Sequence, residues 1–299
     1  MKGLLDPKID FVFKNIFGSS KHPKILISFL NAILKPKHLI KDVEIQNTDL
    51  EKHFVEDKFS RLDVKATTSN NEIINIEIQL KNEYNMIKRS LYYWSKLYEE
   101  QLGEGDNYST LSRTICINIL NFKYLKNSRF HNGYLLKEKE TNEELTDIME
   151  IHFIEIPKLE ENSDEKDMLV AWTEFLKNPE SEKVRKLEMS IEEIKEAKDE
   201  LVRISNDDEQ RMIYEMRSKI LKDKVSALNK AKTEGIQQGI QQGIQQGIQQ
   251  GLEQGLQQGI METAKNLLKL GMDISLVKEA TKLSEGEIIN IKEILEKNN

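Results

Sequence analysis

Two adjoining stretches, RLDVKA (61 to 66) and NEIINIEIQL (71 to 80), alternate polar with apolar residues. This period of two fixes both as β-strands, because successive strand side chains point to opposite faces of a sheet. Leu62, Val64 and Ala66 share one face, with Arg61, Asp63 and Lys65 on the other. In the second strand Ile74, Ile76, Ile78 and Leu80 stand opposite Asn75, Glu77, Gln79 and Lys81. Directly opposed residues of an antiparallel pair lie on the same face, so matching the apolar faces requires paired numbers with an even sum. A two-residue turn at Asn70-Asn71 violates that parity. A three-residue loop, Ser69-Asn70-Asn71, with one Asn in the left-handed region satisfies it and sets position 68 against 72. That register carries Asp63 directly across from Glu77.

Two carboxylates with β-carbons about 5 Å apart repel each other unless a positive charge lies between them. A divalent cation satisfies that demand, and Mg²⁺ is the natural choice: it takes oxygen ligands and commonly only one or two carboxylates plus waters and phosphate oxygens. The other reading of the same residues is an exposed sheet face of mixed charge, with Arg61, Lys65 and Lys81 neutralising the acids.

Upstream, Ile9, Phe13, Ile16 and Phe17 recur at helical spacing and predict a helix over 9 to 18 that packs on the sheet. Asp10 and Lys14 are four apart and adjacent on its surface. They form either a surface ion pair or part of a site in which Asp10 helps bind metal and Lys14 a phosphate. Downstream, 87 to 102 reads as a helix whose Leu91, Trp94, Leu97 and Tyr98 form a core stripe, while Arg89, Tyr93 and Lys96 face elsewhere and can meet a DNA backbone. Buried strands are expected over 111 to 122 and 148 to 157.

Composition limits the functional classes. Of 299 residues 38% are hydrophobic and 32% charged, as expected of a globular protein with polar helical extensions. No apolar run reaches the roughly 18 residues that span a bilayer, and no signal-peptide core is evident, so a cytoplasmic location is expected. The single Cys116 is a candidate buried strand residue, and five scattered His offer no zinc cluster. The net charge of −7 is uneven: residues 1 to 127 hold 19 Lys+Arg against 16 Asp+Glu, and 128 to 299 hold 25 against 35. The mildly basic half contains the hairpin, which suits phosphate contact there.

These elements divide the chain into an α/β core over 1–162, a charged helical region over 163–232, a repeat over 233–260 and a small helical bundle over 261–299. The segment NSDEKD is the expected hinge, and 168 to 232 reads as solvated helices or an arm. In the repeat, glycine recurs every four residues from 235 to 259, mostly as GIQQ, using seven of the chain's 14 glycines. As a helix, each glycine costs about 1 kcal/mol relative to Ala. Period four also overruns the helical period by about 40° per unit, so the Ile/Leu row spirals and holds no fixed face. A helical or partly frayed spacer is expected, with homo-oligomerisation through this region as its possible role. Beyond it, breaks at Gly271 and near Ser284, with Asp273 and Ser284 as N-caps, delimit short helices.

An Asp on one strand followed about a dozen residues later by an acid-x-polar triplet resembles the core of PD-(D/E)XK nucleases. More narrowly, the chain resembles the recombination-promoting nuclease family of that superfamily, in which a DxxFKxxF element, here Asp10 to Phe17, precedes the core. RSLYYWSKLY, IHFIEIPK, AWTEFLKNP and the C-terminal Gly/Gln repeats are further similar features. The resemblance implies a restriction-endonuclease-like mixed sheet flanked by helices, followed by a helical C-terminal extension. It implies a Mg²⁺-dependent DNA endonuclease in which Asp63 and Glu77 hold the metal, with a role in recombination or mobile-element biology. The third motif of the superfamily normally ends in Lys; here the position is Gln79, which can orient water but supplies no charge. Lys81 or Lys14 could compensate, and Gln79 also keeps open a non-cleaving DNA-binding or scaffold protein on the same fold.

Overall fold

The computed structural model describes residues 3–46, 63–82, 84–164 and 166–297. Arg61 and Leu62, which the hairpin reading used, lie outside the described residues, as do Met1, Lys2 and Glu165. The chain divides into two compact units, Met1–Asp223 and Lys224–Asn299.

The first unit is built on a mixed six-stranded sheet of order β1-β2-β3-β4-β6-β5. Its strands are β1 (Val43–Gln46), β2 (Val64–Thr68), β3 (Ile73–Gln79), β4 (Thr114–Leu120), β5 (His131–Lys137) and β6 (Glu144–Glu155). The central β3, β4 and β6 are parallel; β1 to β2, β2 to β3 and β5 to β6 are antiparallel. The expected hairpin register holds, with Val64 opposite Ile76 and Ala66 opposite Ile74. Asn71 sits at φ 60°, the left-handed Asn that the three-residue loop requires.

One sheet face carries α1 (Asp10–Phe17), α2 (Pro23–Leu34), α4 (Met168–Lys177), α5 (Glu182–Leu187) and α6 (Glu192–Asn206). Here Phe13, Phe17, Phe29, Trp172 and Phe175 form an aromatic cluster over Ile74, Ile76, Ile115 and Ile117. The expected solvated arm therefore does not exist over 168–206: Leu169, Trp172, Leu176, Val184, Ile194, Leu201 and Ile204 are core. Their low apolar density misleads because each of these short helices needs only one or two apolar residues per turn to cover its share of the sheet.

The other face is covered by α3 (Met86–Glu99), the crossover between the parallel strands β3 and β4. This corrects the reading of the β3 polar row as an exposed face: Asn75 and Glu77 are 1% and 2% exposed. A strand flanked by parallel pairing and a crossover helix is covered on both sides, whatever its alternation suggests. The α3 stripe is also shifted. Met86, Ser90, Tyr93 and Leu97 point inward, whereas Leu91, expected in the core, is 42% exposed.

α7 (Asp208–Lys269) runs through the whole repeat as helix. In the second unit, Ala264 from its last turns packs with Val277 of α8 (Ile274–Thr281) and with Ile288 and Ile291 of α9 (Glu285–Lys297). α7 closes at Gly271, at φ 78°, in a Schellman turn with Met272 N–H donating to Leu267 O and Gly271 N–H to Leu268 O. Ser284 and Glu287 form a reciprocal capping box. Asp273 holds the N-cap position of α8 without a side-chain bond. Among the described residues, no helix is long and apolar enough to cross a membrane.

Candidate active site

The hairpin register, continued one residue past Val64, sets Asp63 against Glu77 toward the carboxyl end of the parallel strands. Asp63 Oδ2 accepts a hydrogen bond from Ile78 N–H at 2.7 Å, which fixes its carboxylate beside β3. Glu77 Oε2 receives Arg89 Nη2 at 3.2 Å, and the Arg89 guanidinium also lies over the Tyr93 ring, 5.2 Å from its centroid. Among the described residues, the buried Glu77 Oε1 has no hydrogen-bond partner of good geometry, while Asn75 and the Asp63 backbone lie close enough to favour the charged carboxylate.

This arrangement makes both acids reluctant to ionise. Burial pushes Glu77 up to about 7 against the pull of Arg89. Burial and the neighbouring Glu77 charge raise Asp63 well above the ordinary carboxylate range, and Asp10 adds to the effect from α1. Tyr93, beneath the guanidinium, is raised by burial and by Glu77. Cys116 is buried on the same side of the sheet, and its thiol is pushed up to about 12 by burial and then by Glu77. It is an inert core residue, as its apolar strand predicts.

Among the described residues, Arg89 is bonded to one of these two carboxylates, and one buried carboxylate oxygen has no donor. Such a pair, with strongly raised affinity for protons, is suited to a cation that takes their place. Asp63 and Glu77 fit a hard divalent ion that needs few protein ligands. Among the described residues, no group of three His, Cys, Asp or Glu forms a fuller metal cage.

The remaining candidates are placed as follows. Gln79 is half-buried at the end of β3, and its carbonyl accepts Asn121 N–H at 2.9 Å. Lys14 is half-buried on α1, with its Cγ and Val64 both bordering Gly18, so its stem lies beside the start of β2. Asp10 pairs through Oδ2 with Arg217 Nη1 of α7 at 2.8 Å. Arg89 turns inward to Glu77 and Tyr93 is buried in the core, so neither lies on an open helix face. Lys96 alone of that trio is on the surface, bonded to Glu99 at 3.1 Å. Lys81 is exposed just past β3.

Sequence reasoning missed the role of Arg89 as the cation of Glu77. The signal was present: a stripe begun at Met86 runs 86, 90, 93, 97 at spacings of four, three and four. That phase places Tyr93 inside and Arg89 at the inner edge. Asn118, which accepts Ser90 Oγ at 2.8 Å and donates to His152 O, was likewise unread within an otherwise apolar strand.

A mixed sheet with this hairpin, a crossover helix and an Asp–Glu pair near the carboxyl ends of its central strands defines a PD-(D/E)XK nuclease-type protein. A family model described as PD-(D/E)XK nuclease family transposase matches residues 7–231. The chain belongs to that family. No curated protein and no solved structure matches it.

Proposed function

We propose that this protein is a Mg²⁺-dependent DNA endonuclease that hydrolyses phosphodiester bonds in recombination or mobile-element processes. The observation that carries the reading is the buried Asp63–Glu77 pair with Arg89 bonded to Glu77, in a chain of a nuclease family. Asp63 and Glu77 would hold the ion, which when bound supplies Lewis-acid polarisation of the phosphate and a more acidic water. The protein's own contribution is positioning. Ile78 N–H fixes Asp63, Arg89 holds Glu77, and the Gln79 amide carbonyl would accept a hydrogen bond from the attacking water and so aim it. Lys14, beside the start of β2, supplies a point charge for a phosphate oxygen, the part a Lys at position 79 would otherwise take. Asp10 supports the metal side from α1.

Plasmid cleavage with Mg²⁺ tests this. Wild-type protein cuts, and Asp63→Ala and Glu77→Ala do not; equal cutting by all three removes the proposed site. Gln79 favours a second reading, a weak or inactive DNA-binding or scaffold protein assembled through the exposed Ile/Leu row of its repeat. The absence of cutting by wild type, with DNA binding retained, would select it. Gln79→Lys gaining about tenfold or more in cutting would mark position 79 as the limiting element instead.

A further inference from the structure

A loop of one sign of charge adjoins the carboxylate pair. Residues 121–130, NFKYLKNSRF, carry Lys123, Lys126 and Arg129 and no acid, and all three cations are exposed. The loop leaves the carboxyl end of β4, the edge where open α/β sheets bind ligands. Its first residue is hydrogen-bonded to Gln79 of the site through Asn121 N–H. Tyr124 Oη accepts Ile87 N–H at the start of α3. From below, the fully buried Glu155 accepts Tyr124 N–H and Leu125 N–H and pairs with Lys158, whose ammonium also holds the carbonyls of Leu125 and Asn127. The loop is therefore held at six points and presents its cations on a fixed frame.

Two cavities meet at Leu125. One, of about 410 Å³, is bordered by Lys123, Lys126, Ser128 and Lys158, with Glu160 as its one acid among the described residues. The other, of about 310 Å³, is apolar and bordered by Ile87, Leu91, Tyr134, Met149 and Phe153. Phe153 of the apolar cavity stacks against Tyr124 of the loop at 6.4 Å and meets Tyr134 edge-on at 6.1 Å. Tyr134, which lines the apolar cavity, is 46% exposed.

We propose that this pair of cavities is a nucleotide subsite, in which the 121–130 loop binds the phosphates of a DNA strand and the Tyr134 cavity receives an unstacked base. The substrate is then single-stranded or locally opened DNA, since a base within an intact duplex has no free face to stack. Basic side chains beside an aromatic platform are the combination that single-strand binding needs. The proposal rests on the nuclease reading and narrows its substrate.

The test is fluorescence anisotropy of the full chain in chelator, with a labelled single strand of about 20 nucleotides and its duplex. Wild type should bind the single strand more tightly. Tyr134→Ala should weaken single-strand binding by about fivefold or more and duplex binding by less than about twofold, while Tyr134→Phe keeps both. Lys123→Ala, Lys126→Ala and Arg129→Ala combined should weaken both forms and lower the single-strand salt slope by roughly two. Unchanged single-strand binding by Tyr134→Ala overturns the base subsite, as does equal loss on both forms. A fall in molar mass on Tyr134→Ala, by light scattering, would give the cavity to a second copy of the chain. Failure of wild type to bind either form would sink the nuclease reading together with the subsite. Loss of cutting in Asp63→Ala with unchanged binding by Tyr134→Ala would sink the subsite alone.

Discussion

Isoleucine has opposite fates in the two regions of this molecule. Ile74, Ile76, Ile115 and Ile117 of the sheet are fully buried, whereas Ile236, Ile240, Ile244 and Ile248 of the repeat are 54–63% exposed. The difference lies in period. In β3 the apolar residues repeat every two positions, as the strand does, so they gather on one face and a layer of helices can cover them. In the repeat they recur every four along a helix that turns every 3.6, so no fixed face forms and they stay exposed. Regular secondary structure is common to both regions; a matched face exists in only one.

The largest test of that contrast is Trp172→Ala. Trp172 is fully buried against Phe17, Phe29 and Phe175 and donates to Ser28 Oγ at 3.2 Å. Its loss should destabilise the first unit by about 3–5 kcal/mol in urea unfolding. Ile240→Ala, on an exposed helix position, should move the same transition by less than about 0.5 kcal/mol. Comparable effects would mean that the repeat is packed in solution and would break the contrast.

Much of the first unit was legible for the same reason that it is buried. Parity of the faces and the three-residue loop determine the β2–β3 register from the residues alone, and α1 declares itself through Ile9, Phe13, Ile16 and Phe17. Three things were not legible, all because they depend on distant contacts. The polar row of β3 is buried by a helix that starts seven residues after the strand ends, which alternation cannot reveal. β5 reads poorly as a strand because Gly133 interrupts it, yet a Cβ there would come within 3.1 Å of the His152 ring. The helices after residue 163 look like solvated surface until the aromatic cluster that they complete is known. At the site, the carboxylates were readable from register, whereas their guanidinium partner depended on the phase of α3.

Arg89→Ala is the next largest expected effect, and it sharpens the comparison within the core. It removes the guanidinium from a buried carboxylate, at a cost of about 1.5–3 kcal/mol, limited because Glu77 can take up a proton. Arg89→Lys should recover only part, since an ammonium keeps the charge but loses the planar stacking on Tyr93. Urea unfolding of both variants at neutral pH measures the difference.

A pH effect follows from Glu77. Between about pH 4.5 and about 7 the folded chain holds a proton that the unfolded chain releases, so the metal-free protein loses relative stability as pH rises through this window. Asp63 acts in the same direction. Melting in chelator at pH 5.5 and pH 8, with Glu77→Gln as control, should show a smaller alkaline loss for the variant. Mg²⁺ must displace these protons, so it should raise the melting temperature more at pH 8 than at pH 6. A stabilisation independent of pH would place the ion elsewhere.

The smallest effect bears most directly on the repeat. Among the described residues, a Cβ added at Gly243 or Gly247 meets nothing within 4 Å, so neither glycine is required by a contact there. Gly243→Ala with Gly247→Ala should therefore strengthen the helix by about 1 kcal/mol per site, seen as greater helical circular dichroism at low urea. The unfolding midpoint of the first unit should stay unchanged, because sites without shared partners act independently. Should the double variant instead lower the solution molar mass, the glycines are places where two helices approach closely, as small residues permit. The repeat would then be a buried surface whose second half belongs to another copy, and period four would be the pitch of that contact instead of a failure to form a face.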